Sequence, residues 1–184
     1  MAILIFLLAV VAAILLWVFG VYNRLVALKV RIENAWSQID VQLKRRHDLI
    51  PNLVEAVKGY MAYEKDTLER VIKARNQAID AGSLKDKAQA ENLLTQTLRS
   101  LFAVAERYPE LKANQNVLKL QEELTSTENK IAFARQYYND EVRLYNTQIQ
   151  VVPSKMVAQM FGFSPKEFFE IEDKSEKAVP KVQF

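Results

Sequence analysis

The sequence predicts an all-α protein in which a membrane-spanning helix leads directly into a helical bundle. The chain opens with a long uncharged apolar run, and most of the remaining sequence repeats apolar residues at helical spacing. Only 4 of the 184 residues are glycine, so turns should be few and helices long. We therefore expect an elongated antiparallel bundle of three long helices, followed by short C-terminal helices.

The apolar run from Ala2 to Val21 predicts a membrane anchor. It carries no charged residue, and about 20 consecutive apolar residues let a helix cross the hydrocarbon core of a bilayer. A cleaved signal peptide would begin with positive charge and end in small residues, whereas this run ends in bulky ones. We assign residues 1–22 to an uncleaved single-pass anchor, 23–172 to the bundle and 173–184 to a charged tail.

A stripe of apolar residues at gaps of three and four begins directly after the anchor and predicts that the helix continues. We call it the stalk stripe, and its members are Leu25, Leu28, Ile32, Trp36, Ile39 and Leu43. Pro51 should kink this first helix, because proline removes one hydrogen bond and clashes with the preceding turn. The apolar pattern stays in phase to Ile79, and the turn after it places Gly82 where helices often end in a left-handed residue.

The second helix should begin at Ser83, which resembles the first residue of a capping box. A third helix should follow from Val117 to Ile149, where alternating gaps of three and four approach coiled-coil spacing. We expect a short helix over 155–160 and a further helix starting at Ser164, which is followed by proline and then glutamate.

Charge and composition exclude several classes of function. Lys and Arg number 25 against 22 Asp and Glu, and the signs are interspersed, so we expect no nucleic-acid partner. We interpret the dense patch Lys44–Arg46 as a solvated helix face. The chain has no cysteine and a single histidine, so the usual ligands of a zinc site are missing and we expect no metal or other cofactor. We interpret that histidine, His47, as capping or pairing near the Pro51 kink.

Four acidic residues fall near the predicted apolar faces: Glu55, Glu64, Glu128 and Asp140. Two carboxylates can act as acid and base. No spacing singles out a pair here, and arginines such as Arg46 and Arg75 can neutralise them. We therefore expect no enzymatic activity, with a membrane-anchored hydrolase that uses bundle carboxylates as the alternative.

The stalk stripe and the aromatic C-terminal segment are the predicted surfaces for contact between subunits. If the other helices do not reach back towards the membrane, the stripe has no partner within its own chain. Parallel packing of stalks in a homo-oligomer would then cover it. The aromatic residues either complete the bundle core or contact a neighbouring subunit, and they are Phe161, Phe163, Phe168 and Phe169.

A resemblance to a known family is carried by segments that stand in order along the chain. They are Tyr22–Leu28, Ala35–Trp36, Arg45–Val54, Tyr108–Asn114, Leu120–Leu124, Tyr138–Asp140 and Phe161–Phe163. Together they resemble the bacterial LemA family. The resemblance implies a single-pass protein of the bacterial inner membrane with an antiparallel helical bundle. It supplies no reaction, cofactor or substrate, and family members look linked to membrane-protein quality control or to the organisation of membrane compartments.

The side of the membrane that carries the bundle stays open. Arg24, Lys29 and Arg31 follow the anchor, and the positive-inside rule places such basic residues in the cytoplasm. Some relatives in the resembled family look like lipoproteins with the bundle outside the cytoplasm, which argues against a cytoplasmic bundle.

The sequence therefore predicts a non-enzymatic, membrane-anchored scaffold or adaptor that forms homo-oligomers and engages other membrane proteins, such as a membrane protease. We expect it to act in membrane-protein quality control or in the organisation of the envelope. Beside the hydrolase, a membrane-surface remodeller with an amphipathic segment in the interface is a further alternative.

Overall fold

The computed structural model describes residues 1–169, and in that range it contains helices and turns but no strand. The helices are α1 (Ala2–Lys58), α2 (Lys65–Asp80), α3 (Leu84–Ala105), α4 (Pro109–Ala113), α5 (Gln115–Gln150) and α6 (Ser154–Met160). The predicted all-α class is confirmed. The predicted tail, 173–184, lies outside the described residues.

Helix α1 runs without interruption from the apolar segment into the rest of the fold. Within residues 1–169 it is the one helix long and apolar enough to cross a membrane, and its apolar window is not buried by the protein itself. Beyond that window one face becomes buried at gaps of three and four residues. This face consists of Leu25, Leu28, Ile32, Ala35, Ile39, Leu43, Arg46, Ile50, Leu53 and Val57.

The chain forms two compact units, and the first comprises residues 1–40 and 133–168. In it the buried face of α1 is matched by a buried face of α5, made of Tyr138, Val142, Tyr145 and Ile149. The Trp36 ring meets the Tyr138 ring edge-on, with centroids 5.8 Å apart. Tyr22, earlier on α1, contacts Phe161, which lies beyond the end of α5. The two helices are therefore antiparallel in this unit.

Among the described residues, the second unit comprises 41–132 and Phe169. Here α2 and α3 pack against each other, and α1, α4 and α5 contribute to the same apolar core. The buried residues of this core are Ile50, Leu53, Val57, Met61, Leu68, Val71, Ala74, Ala78, Leu94, Leu98, Leu101, Leu111, Val117 and Leu124.

The expectation that the first helix reaches Ile79 is wrong. Helix α1 ends at Lys58 and α2 begins at Lys65. In the turn between them the Met61 N–H bonds the Val57 carbonyl at 3.0 Å, and Met61 is fully buried. Apolar residues on both sides of the turn enter one core, which is why the helical period continues across a real break.

Helix ends follow the predicted residues only in part. The Ser83 cap is confirmed, because its hydroxyl accepts a hydrogen bond from the Asp86 N–H at 3.0 Å. Gly82 is not left-handed, which corrects the expectation for that turn. Helix α2 instead ends as Ala81 turns to extended backbone, and among the described glycines positive φ occurs at Gly162.

No helix begins at Ser164, although the sequence predicted one there. At the end of α6, Gly162 adopts φ 70° and the Phe163 N–H bonds the Ala158 carbonyl at 2.9 Å, a left-handed helix stop. The segment after it is held along α5 by side chains. Asn146 donates to the Lys166 carbonyl and accepts from the Lys166 N–H, each at 2.8 Å.

Two tyrosines complete this attachment of residues 163–168, which we call the strap. Tyr145 donates its hydroxyl to the Ser164 carbonyl at 3.1 Å, and Tyr138 donates to the Glu167 carbonyl at 3.0 Å. These carbonyls are therefore engaged by side chains of α5. The bonds hold the segment against α5 in a non-helical conformation, although its sequence is that of a helix start.

Helix α1 passes through Pro51, so the proline does not end the helix, and the kink at this residue stays a prediction. Proline has no N–H, so the carbonyl four residues earlier, that of His47, loses its helical donor. The Arg75 guanidinium of α2 supplies the missing donor, with its Nε 2.7 Å from the His47 oxygen. The proline therefore creates an acceptor that ties α2 to α1.

This arrangement predicts an energetic coupling between Pro51 and Arg75. Arg75→Met should cost about 1–3 kcal/mol, because it leaves a half-buried carbonyl without a donor. In a Pro51→Ala background the restored N–H can bond that carbonyl, so the same change should cost much less. Urea unfolding in mild detergent of the four proteins of this double-mutant cycle measures the difference.

Lys73→Met, at an exposed neighbouring position on α2, is the control. Its effect on the free energy of unfolding should be the same with proline and with alanine at residue 51. An Arg75→Met cost that is the same with proline and with alanine would contradict the coupling.

Candidate functional site

The most distinctive polar feature of the second unit is a buried guanidinium on the apolar face of α1. Arg46 is fully buried, and one of its nitrogens pairs with the fully buried Glu91 carboxylate of α3. Its other terminal nitrogen pairs with Glu128 of α5, which is partly exposed. The same nitrogen donates to the Thr95 hydroxyl at 3.0 Å. One side chain of α1 thus binds both α3 and α5.

His47 and Thr95 complete this group, which we call the Arg46 cluster. The His47 Nε2 lies 2.9 Å from the second carboxylate oxygen of Glu91. Because an ionised carboxylate can only accept, this nitrogen carries the hydrogen. The Thr95 hydroxyl lies 2.9 Å from Glu128 Oε1 and 3.1 Å from the Glu91 carbonyl, and its single proton serves one of them at a time.

Glu91 is held ionised by its neighbours. Burial alone would raise the pKa of its carboxyl, since a low-dielectric interior disfavours charge. The hydrogen bond from His47 and the positive charge of Arg46 outweigh that effect, so the pKa of Glu91 lies below its ordinary value. The carboxylate is therefore a fixed counter-ion rather than a proton donor near neutral pH.

The cluster corrects two expectations about the basic segment of α1. The patch Lys44–Arg46 is not a uniformly solvated face, because Arg46 is fully buried. His47 pairs as expected, but its partner is Glu91, a residue that the sequence reasoning did not single out. A signal was present: Arg46 falls in the apolar phase between Leu43 and Ile50, and Glu91 lies three residues before Leu94 on the buried face of α3.

The four acidic residues considered as acid–base candidates each have a partner of their own. Glu128 belongs to the Arg46 cluster. Glu55 lies 3.8 Å from Lys58, and Asp140 lies 2.7 Å from Arg143, both pairs on exposed helix faces. Glu64 accepts from the Tyr108 hydroxyl at 3.4 Å. Over residues 1–169, no group of three or more potential ligand side chains is placed to hold a metal ion.

The residues predicted to contact another subunit are largely covered by their own chain. In the stalk stripe every member except Trp36 is buried, and Ala35 rather than Trp36 occupies the centre of the buried face. The premise that this stripe lacks an intrachain partner is therefore wrong, because α5 reaches back along α1. A contact of these residues with a neighbouring subunit stays a prediction.

The aromatic C-terminal residues divide into three environments. Phe161 and Phe163 pack on the Tyr22 ring, with centroids 4.8 Å and 5.7 Å away. Phe169 is buried, and Phe168 remains exposed. The C-terminal segment therefore brings two of the four rings against the exit of the apolar segment within one chain.

Comparison with known proteins finds one matching family and several relatives. A model of the LemA family matches residues 35–184. Magnetosome protein MamQ 1 of Paramagnetospirillum magneticum (strain AMB-1) is 25% identical over 175 residues, which cover 81% of this chain. Magnetosome protein MamQ of Magnetospirillum gryphiswaldense is 24% identical over 174 residues, covering 80% of this chain.

Protein LemA of Metamycoplasma hominis is 28% identical over 143 residues, covering 76% of this chain. In each of these three comparisons the match spans 64% of the relative's own length. The similarity therefore reaches most of this chain but leaves about a third of each relative unmatched.

The burial of the Arg46 cluster predicts a large, pH-dependent effect of removing one charge. Glu91→Gln should destabilise the protein by about 3–5 kcal/mol at pH 7, because it leaves a buried guanidinium without its main counter-ion. A lowered pKa in the folded state means that this stabilisation is complete above the unfolded-state pKa of about 4.3. It is lost as pH falls through the lower folded-state value.

The free energy of unfolding of wild type and of Glu91→Gln, measured between pH 7 and pH 3, tests this prediction. The difference between the two proteins should narrow only below about pH 4.3. Glu123→Gln is the matched control, because Glu123 pairs with Arg45 at 3.2 Å where both side chains are half exposed. It should cost no more than about 1 kcal/mol. Equal costs for the two variants would show that the cluster is not a buried ion pair.

Proposed function

Because the chain belongs to the LemA family, we propose that it is a non-enzymatic, membrane-anchored scaffold that self-assembles and engages other membrane proteins. The observation that carries this proposal is the continuity of α1. The apolar segment and the first buried stripe of the fold are one helix, from Ala2 to Lys58. The 20 residues Ala2–Val21 rise about 30 Å as a helix, which matches the hydrocarbon core of a bilayer.

A continuous helix gives the anchor a mechanical role. A flexible linker would let a bundle move freely relative to its anchor, as an enzyme that searches for soluble substrates can do. Here no linker separates the two, so movement of the apolar segment is movement of the stalk. This arrangement suits a protein that holds partners at a defined place on the membrane.

The pairing of the charged groups supports a non-enzymatic role. Arg46 pairs with the carboxylates of Glu91 and Glu128, and Glu55 and Asp140 form exposed helix-face pairs. General acid–base catalysis needs two groups that converge on a shared space. The hydrolase alternative would have to recruit carboxylates that are already engaged with partners of their own.

Self-assembly would use a surface other than the stalk stripe. On α5, three large apolar side chains at spacings of four and seven residues share one face and are exposed: Phe133, Tyr137 and Leu144. We call them the α5 stripe. Three exposed apolar side chains on one helix face are typical of an interaction surface, and neighbouring anchors in one bilayer would bring copies of it together.

The partner class and location are proposed from the family and the anchor. We propose a bacterial inner-membrane location, with the bundle on the cytoplasmic side because of the basic residues Arg24, Lys29 and Arg31. The partners would be membrane proteins, a membrane-bound protease among them. Two relatives are magnetosome proteins, which favours a role in organising a membrane compartment. A membrane-surface remodeller is the remaining alternative.

The self-assembly proposal predicts the mass of the full-length chain in lipid nanodiscs. Native mass spectrometry should find more than one copy per particle for wild type. Phe133→Glu should shift the particles to single copies, because a charge buried in an apolar contact loses its hydration without a partner. Leu93→Glu, at an exposed apolar position on α3, is the control and should leave the mass unchanged.

A wild-type protein that stays monomeric when crowded in the bilayer would overturn self-assembly. An oligomer that Phe133→Glu leaves intact would overturn the assignment of the α5 stripe as its contact surface.

A further inference from the structure

The turn after α5 and the outer face of α6 expose an unusual concentration of apolar side chains. Val152 is 77% exposed, Met156 66%, Met160 73% and Phe161 48%. The opposite face of α6 is buried, with Val157 and Ala158 almost inaccessible. We call the four exposed residues the α6 patch. A short helix that is apolar on both faces needs a cover for its second face, or it presents apolar surface to water.

The position of the α6 patch is fixed by the ring of Tyr22. This tyrosine immediately follows the uncharged run of α1, and its ring contacts Phe161 and Phe163 at the end of α6. The patch therefore lies beside the point where the apolar segment ends. Tyrosine itself is typical of the level of lipid headgroups.

Helix lengths place the patch at the same level by a separate route. The Trp36–Tyr138 contact fixes the register of the antiparallel α1 and α5. From Tyr138 to Gln150, α5 rises about 18 Å, and from Trp36 back to Tyr22, α1 rises about 21 Å. Helix α5 thus ends within one helical turn of the level of Tyr22, and Val152 comes directly after that end.

We propose that the α6 patch inserts into the interface of the same phospholipid bilayer that α1 crosses. The chain would then hold the membrane at two places, by one spanning helix and by one helix lying in the headgroup region. Interfacial helices bury their apolar face about 5–10 Å into the boundary between headgroups and acyl chains. This inference rests on the membrane anchoring in the proposed function.

The charges around the patch fit a lipid surface. Lys155 lies next to Met156 and is exposed, and Arg24 is exposed just beyond Tyr22. Long basic side chains can leave their apolar stems in the interface while their charges reach lipid phosphates. The patch itself carries no acidic residue, so nothing in it opposes contact with an anionic headgroup layer.

A second contact would change what the anchor does. One spanning helix leaves a protein free to rotate about its axis and to tilt. An interfacial contact beside the exit of that helix restricts both movements, since the patch must stay at headgroup depth. The α6 patch belongs to the first unit. The strap that follows α6 is held to α5 by Tyr145 and Asn146.

The test uses the absence of cysteine in the chain, which lets one introduced thiol carry one label. Full-length Met160→Cys carries an environment-sensitive fluorophore in nanodiscs of phosphatidylcholine and phosphatidylglycerol. Its quenching is measured with lipids brominated on the upper acyl chain and with aqueous iodide. Val152→Cys repeats the measurement at a second patch position. Leu8→Cys marks the span, and Asn34→Cys marks an exposed position farther along α1.

The labels at Met160 and Val152 should lose fluorescence to brominated lipid and be shielded from iodide, whereas the Asn34 label should behave in the opposite way. Patch labels as open to iodide as the Asn34 label would overturn the inference, because the patch would then face water. Patch labels shielded from both quenchers would also overturn it, since a second protein copy would then cover the patch. If the Leu8 label escapes brominated lipid, the anchoring in the proposed function fails as well; if only the patch labels escape it, anchoring stands.

Discussion

One uninterrupted helix is the constraint on which the rest of this structure depends. Helix α1 carries an apolar face at gaps of three and four from Leu25 to Val57, and each compact unit buries part of that face. A break or a slip in α1 would move this face away from its partners in α5 or α2. The least favourable residue for such a helix, Pro51, is accommodated because Arg75 donates to the carbonyl that the proline leaves free.

The Arg46 cluster sits on the same face and works by a different principle from the apolar contacts around it. Burying a charge in a low-dielectric core is expensive, and a buried ion pair adds little net stability over apolar residues of the same size. Its geometry is demanding, however, because Arg46 must meet Glu91 of α3 and Glu128 of α5 together. We therefore expect the cluster to disfavour wrong registers between these helices more than it stabilises the right one.

Much of the fold could be predicted from the sequence, because apolar period and helix length reflect burial directly. The long apolar first helix, the helical stripes, the Ser83 cap and the short helix near residue 155 all rest on such local signals. The turn over residues 59–64 and the non-helical strap could not be predicted in this way. The turn keeps its apolar residue in the common core, and the strap is held by side chains of α5 that are distant in the sequence.

The candidate site was predictable only in part for the same reason. A charged residue in the phase of an apolar stripe is a visible signal, and Arg46 and Glu91 each give one. Which charge meets which depends on how α1, α3 and α5 come together, and no spacing along the chain contains that. The stalk stripe shows the opposite case: its apolar character was evident, but whether its partner was α5 or another copy depended on the tertiary fold.

The functional account depends on the junction between the apolar segment and the stalk. The proposed scaffold role requires that α1 be one helix through Gly20 and Tyr22, as it is in this structure. The most direct test is pulsed electron–electron double resonance on the full-length chain in nanodiscs, with spin labels on Leu8→Cys and Glu33→Cys. A continuous helix predicts a narrow distance distribution centred on about 37 Å, apart from the reach of the labels. A broad distribution or a much shorter distance would reveal a hinge at the membrane surface and contradict the account.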